Sequence, residues 1–346
     1  GVRAAPMRIH KFESTEAFIA IDLEGAEASS GPARWAKKIL QGGAKDLARS
    51  QTYTYAALGM KRGGAAAGIS APPEDRAAAI EAFLTEAEPL VADGTYLPDA
   101  AKGIGLNELA PLHAADPRDT ARLGDFADRC DGVSAVVAAH HAVGLDAKTI
   151  AIEGFENLGP WIADGVIGHG ARLTAISTAT GTVTNESGFS LAELNEAFAA
   201  HGADCVNELG EVGHPMAVFG AGADVVFAGS KVGIIDHKVA ESLEGCAAVV
   251  PNGRLPLTAR GLAVLRKAGV QTPADFVALA GSTLAVWGDV SRSDDEIVAG
   301  VREDIGDLCD ELQGHDDGLL LAACYFAEAF LMEWQDELPW GRPLAP

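Results

Sequence analysis

The sequence predicts an α/β protein of two domains, on three observations. Its 346 residues suffice for two cores of ordinary size. Strand-like and helix-like segments alternate from about residue 149 to 283. A glycine-punctuated turn, Gly154-Phe155-Glu156-Asn157-Leu158-Gly159, separates the first of those strands from its helix. The expected division is 1–144 for a first domain and 145–314 for a doubly wound, Rossmann-like domain. Segment 315–346 is expected to pack back on the first.

Residues 16–23 (EAFIAIDL) alternate and carry β-branched side chains, which predicts a strand; 33–50 has helical spacing interrupted by Gly42 and Gly43. The tract GMKRGGAAAGISAPPED, closed by Pro72 and Pro73, reads as a loop whose backbone can approach a ligand closely. Helical patterns follow over 74–92 and 120–143, the latter stopped by Gly144, the expected domain boundary. From Lys148 to Gly181 the order is strand, glycine turn, helix and strand, the βαβ pattern of dinucleotide-binding folds. Further strands are expected in ADVVFAG (223–229) and CAAVVPN (246–252), in a parallel, doubly wound sheet. Two amphipathic helices end the chain, the first capped by Ser293.

Composition narrows the function. With 48% apolar and 22% charged residues the chain is globular. A net charge of -23, from 49 acidic against 26 basic residues, repels a phosphate backbone and argues against nucleic acid as partner. That acidity fits a solvated acidic surface or a salt-rich cytoplasm. Five cysteines, widely spaced and never in a C-x-x-C pair, indicate neither a disulfide framework nor a zinc site, and a reducing cytoplasmic location is expected. No apolar run reaches the roughly 20 residues of a membrane span.

A G-x-G-x-x-G turn needs its middle glycine so that backbone can lie against a pyrophosphate held at the helix N-terminus. Here Glu156 stands at that position. A carboxylate about 4 Å from a phosphate charge costs on the order of 4 kcal/mol at an effective dielectric near 20, roughly a thousandfold in affinity. The second strand of such units ends in an acidic residue that accepts from the adenosine ribose. Ser177-Thr178 stands there instead, and Thr178, Thr180 and Arg172 are candidates for a 2′-phosphate.

The order of these features resembles the glutamate/leucine/phenylalanine/valine dehydrogenase superfamily over roughly residues 15–290. That resemblance implies an N-terminal substrate domain, a Rossmann-like domain, NAD or NADP as cofactor, an amino or keto acid as substrate, and a homo-oligomer. The family segment "MTYKNALAGLPFGGGKGG" is similar to Gln51–Gly68, with Thr54 where the carboxylate-binding lysine belongs and Ala66 where the catalytic lysine belongs. The family's "YIxAxDxGT" resembles Tyr96–Ile104, with Ala101 in place of the catalytic aspartate and Asp99 or Lys102 as neighbours able to stand in. "NAGGV" resembles Leu279–Thr283, the following serine corresponds to Val286, and Asn252-Gly253 is similar to the family's nicotinamide-side Asn-Gly. By the same resemblance the cofactor would meet Gly154, Phe155, Glu156, Asn157, Leu158, Gly159, Ser177, Thr178 and Asn252.

Oxidation of an amine to an imine needs a cation for the carboxylate, a tuned proton acceptor and a hydride acceptor. All three are compromised. Lys61, beside Arg62, and Lys231, at the expected carboxyl edge of the second sheet, are candidate replacement cations. His140-His141 point about 100° apart on a helix and cannot chelate one metal from one face, so no metal is assigned. Trp161, Trp287 and Trp334 read as packing anchors. Three readings stay open: a family oxidoreductase with altered or lost catalysis, an inactive pseudoenzyme serving assembly or regulation beside an active paralogue, and a non-redox enzyme using an interdomain cleft.

Overall fold

The computed structural model describes residues 7–346, and these divide into two compact units. The first runs through Asp125 and takes in Val286–Val290 and Cys324–Pro343; the second comprises Phe126–Ala285, Ser291–Ala323 and Leu344–Pro346. Both units are mixed α/β.

The first unit is built on a five-stranded sheet of order β1-β2-β4-β3-β5, formed by β1 Arg8–Lys11, β2 Ala17–Ile21, β3 Ser29–Ala36, β4 Gly63–Ser70 and β5 Leu97–Ala100. β2 runs antiparallel to β1 and β4, whereas β3 is parallel to β4 and β5. Its helices are α1 Gln41–Ala57, α2 Arg76–Ala92 and the short α3 Leu106–Leu109. Ile19, Ile69, Phe83, Val91, Tyr96 and Leu97 are buried in one core.

Two expectations change here. The glycine and alanine tract is not a loop throughout: its middle, Gly63–Ser70, is β4, the central strand, buried at every residue. Its small residues let α1 lie directly on the sheet, since a Cβ on Gly64 would fall 1.7 Å from the Ala48 carbonyl oxygen. The helical segment expected over 33–50 begins only at Gln41, because Ala33–Ala36 complete β3 through register with Ala67–Ser70.

The second unit opens with α4 Asp125–Val143 and continues through β6 Thr149–Ile152, α5 Gly159–Gly168, β7 Arg172–Ser177, β8 Thr182–Thr184, α6 Leu191–His201, α7 Val206–Leu209, β9 Val225–Ala228, α8 His237–Ser242, β10 Ala248–Pro251, α9 Ala259–Lys267, α10 Asp275–Ala278, α11 Gly281–Val286 and α12 Asp294–Leu312; the last helix, α13 Leu319–Leu331, begins in this unit and from Cys324 onward belongs to the first. Its sheet has the order β10-β9-β6-β7-β8. Four strands are parallel, and β8 folds back antiparallel on β7 as the edge. The strand order reverses between β6 and β9, the switch point at which open α/β sheets bind ligands.

The unit boundary lies at Asp125 rather than Gly144, because α4 packs within the second unit. A Cβ on Gly132 would lie 2.5 Å from that of Trp161, and Ser134 Oγ donates to the Val277 carbonyl at 3.0 Å. Of the segment 315–346, only Cys324–Pro343 belongs to the first unit. There Tyr53 donates to Glu328 at 3.0 Å, and Arg49, paired with buried Asp22, donates to the Gly341 carbonyl. Ser293 caps α12 in a capping box with Glu296. No helix among the described residues is long and apolar enough to cross a membrane.

Candidate functional site

In the first unit, the residues expected where the family has its two lysines are enclosed. Thr54 lies on α1 and Ala66 on β4, and both have no exposed surface. Thr54 Oγ1 turns back to the Ser50 carbonyl at 3.2 Å. Asp99, on β5 opposite Pro32 of β3, is held by Arg118 Nη1 at 2.5 Å. Arg118 also donates to both oxygens of Asp116 and, through Nη2, to the Pro98 carbonyl. Its side chain is 2% exposed and so is that of Asp116. The two carboxylates outweigh desolvation and raise the Arg118 pKa, so this cation is fixed and neutralised in place.

Next to it, Tyr55 shares a 2.6 Å hydrogen bond with Ser30 Oγ and accepts one from Trp287 Nε1 at 2.9 Å. Burial pushes the Tyr55 hydroxyl pKa up. The Arg62 guanidinium stands 3.8 Å over the Trp287 ring, and its charge faces Glu27 at 3.7 Å. Trp287 is therefore an anchor of this polar cluster.

The sequence candidates in this unit do not converge. The Lys61 carbonyl accepts from Glu27 before β3, whereas that of Lys102 accepts from Trp35 near the end of β3. Eight residues of extended chain separate those contacts, roughly 26 Å. Lys61 and Lys102 are exposed at opposite ends of the sheet, and only Asp99 enters the buried cluster.

In the second unit the glycine turn joins β6 to α5 at the switch point. Gly154 has φ +70°, a left-handed conformation that glycine supplies without strain, and a Cβ there would lie 2.9 Å from that of Ser230 after β9. Gly159 leaves room for the buried Phe155 ring, which would be 2.4 Å from an added Cβ. The amides of Phe155, Asn157 and Gly159 donate within the fold, to Ser177, Gly154 and Phe155 carbonyls respectively. Pro160 supplies no N–H to the helix start.

Glu156 turns to the end of β7, where Oε1 accepts the Ala179 amide at 2.7 Å; its Oε2 is buried with no hydrogen-bond partner. Beside it Thr178 Oγ1 donates to the Ala203 carbonyl and Thr180 Oγ1 to Asp204, both at 2.6 Å. Arg172 opens β7 at the opposite end of the strand from Thr178 and packs on Gly188. Of the three residues proposed for a 2′-phosphate, Thr178 and Thr180 thus meet, the Thr180 amide donating to Thr178 Oγ1 at 3.2 Å, and Arg172 stands apart.

Glu153, which sequence reasoning passed over, closes the edge between β6 and β9. Its carboxylate accepts from Gly229 at 2.9 Å and Ser230 at 3.0 Å, and its carbonyl accepts from Asn252 Nδ2 at 2.7 Å. Asn252 is 2% exposed, with Oδ1 buried and lacking a donor. Lys231 follows in the same turn as an exposed side chain. Asp131 on α4 accepts the Ser282 amide at 2.7 Å, and desolvation pushes its pKa up to about 7 against the opposing pull of Arg254. A strand end reading Ile-Glu-Gly was the available signal for Glu153; Asp116 stood beside Arg118 in the text, but the link of Arg118 to Asp99 and that of Asp131 to Ser282 join residues too distant in sequence to be paired by eye.

His140 stacks on His169 at 4.6 Å and His141 meets Asp310 at 2.8 Å. Among the described residues no group of three His, Cys, Asp or Glu side chains is placed to hold a metal.

A dinucleotide needs donors for its pyrophosphate and an accessible acceptor for its ribose. This edge offers carboxylates at 153, 156 and 204, amides of Phe155, Asn157, Gly159, Gly229 and Ser230 that already donate within the fold, and Thr178 and Thr180 hydroxyls bonded inward. The residues present do not fit NAD or NADP.

Comparison with known proteins supplies the lineage. Three solved glutamate dehydrogenases share the fold. The hetero-hexameric enzyme from Thermus thermophilus, in its leucine-bound form, has 19% identity and a TM-score of 0.75, the match covering 92% of this chain and 85% of that one. Another glutamate dehydrogenase matches with a TM-score of 0.80 at 16% identity, covering 95% and 86% of the two chains. The enzyme from Plasmodium falciparum matches with a TM-score of 0.75 at 13% identity, covering 94% and 82%. Residues 132–303 match the family model described as glutamate/leucine/phenylalanine/valine dehydrogenase. With that match spanning the switch-point sheet and the two-unit fold shared along most of its length, the chain belongs to the glutamate/leucine/phenylalanine/valine dehydrogenase superfamily.

Proposed function

We propose that this chain is a catalytically inactive member of its family, a pseudoenzyme whose fold serves assembly or regulation. The observation that carries this reading is the first unit's cation balance. Thr54 and Ala66, expected where the family has its lysines, are fully buried and carry no charge. The buried cation beside Asp99, Arg118, is neutralised by Asp99 and Asp116, while Lys61 and Lys102 are exposed at opposite ends of the sheet. No ammonium is left there to hold a substrate carboxylate or polarise an imino carbon. Losses of groups that share one step leave little residual rate.

The role left is association, in the cytoplasm, as a homo-oligomer or beside an active paralogue. The Thermus thermophilus relative is itself hetero-hexameric, which supports mixed assembly in this fold. The test is an assay of the purified chain for oxidative deamination of the twenty amino acids with NAD and NADP, and for the reverse amination. We expect no turnover above background. Saturable, protein-dependent reduction of either cofactor would overturn the reading.

A further inference from the structure

We infer that the second unit excludes NAD(P) by an internal latch, in which Glu156 and the turn at Gly202–Cys205 together close the adenosine side of its sheet edge. This concerns a different unit and different residues from the reading above, and stands apart from it. The latch has three bonds: Glu156 Oε1 accepts from Ala179, Thr178 Oγ1 donates to Ala203, and Thr180 Oγ1 donates to Asp204. Two of them pin residues 203 and 204 over the end of β7; the third holds the carboxylate of the glycine turn beneath, with Oε2 out of solvent contact.

The geometry opposes a dinucleotide twice. A ribose would need the space under the 202–205 turn, and a pyrophosphate would face the Glu156 charge where the family pattern has a glycine. The neighbouring switch point is stitched as well, because Glu153 consumes the Gly229 and Ser230 amides that would otherwise be donors at the carboxyl ends of the strands. Glycine at the first and last positions of the turn is retained for backbone reasons of its own, the φ of Gly154 and the Phe155 ring against Gly159. The fingerprint persists as a packing motif while its ligand is shut out.

The test is titration of the full chain with NADH and NADPH, followed by quenching of tryptophan emission, Trp161 lying two residues past the turn. Wild type should show no saturable binding up to millimolar cofactor. E156G combined with T180A, which removes the charge and frees Asp204, should bind with a gain approaching about a thousandfold over any residual wild-type affinity. E156Q keeps the Ala179 bond while removing the charge and serves if the double variant does not fold; it should gain about tenfold or more. Wild-type saturation below 1 mM, taking ~1 mM as weak binding, overturns the inference, as does a folded set of variants that all remain blind to both cofactors. Binding by wild type without turnover would sink the latch and leave the pseudoenzyme reading standing.

Discussion

Arg118 illustrates how a single buried charge becomes indispensable once its partners are buried too. Removing it leaves Asp116, whose side chain is 2% exposed, without compensation, and an orphaned buried charge typically costs about 3–5 kcal/mol. R118M should therefore lower the unfolding free energy measured in urea by that amount, whereas D99N should cost less, because the Asp99 side chain is 36% exposed and water can screen its loss. Equal effects would show that Asp116 does not depend on Arg118. Asp131 makes the complementary case. Its folded pKa, about 7, lies above the ordinary aspartate value of 3.8, so the folded state holds a proton that the unfolded state has released between those limits. Stability is lost as pH rises through that window and stays lower above it. D131N keeps an acceptor for the Ser282 amide and removes the charge; it should stabilise the protein at pH 8 by on the order of 2 kcal/mol, and by much less at pH 4, in calorimetric or denaturant unfolding. A gain at pH 4 that matches the gain at pH 8 would refute the assignment.

Among elements, β4 and α1 form the tightest contact of the first unit, and the glycines there divide into two kinds. A Cβ on Gly64 would fall 1.7 Å from a backbone oxygen that cannot step aside, so G64A should cost at least about 3 kcal/mol or prevent folding. Gly42, in the first turn of α1, has no atom within 4 Å of an added Cβ, and G42A should stabilise by about 0.5–1 kcal/mol. Measured by chemical denaturation, the two alanines must differ in sign. This same contact explains what the sequence concealed. A strand of glycine and alanine carries no alternation and a single β-branched residue, Ile69, so β4 resembled a loop, and its burial follows from an α1 that sequence pattern placed eight residues too early. The βαβ unit was legible because its strands are apolar and its turn is marked by Gly154 and Gly159. The site was legible by position only: Thr54, Ala66, Ala101 and Glu156 can be read as replacements in a line of text, whereas Glu153, Arg118 and Asp131 acquire meaning through partners 2 to 151 residues away.

Over the whole molecule the net charge of -23 is spread on a 346-residue chain and repels itself at low ionic strength. Raising NaCl from about 0.1 to 1 M shortens the screening length from roughly 10 to 3 Å. The melting temperature should rise by several degrees over that range; a flat or falling curve would mean that ion pairs such as Arg266–Asp317 and Arg342–Glu328 outweigh the repulsion. The close seating of α1 on β4 also bears on history. Ala66 sits between Gly64, pressed by Ala48, and Gly68, where a Cβ would meet Ile39 at 2.6 Å and Phe18 at 2.9 Å. A lysine arriving at 66 by one substitution would find its corridor already walled in. On the proposed reading, absence of the ammonium group is in this sense a ratchet: a return to chemistry would have to loosen the sheet before it could re-arm it.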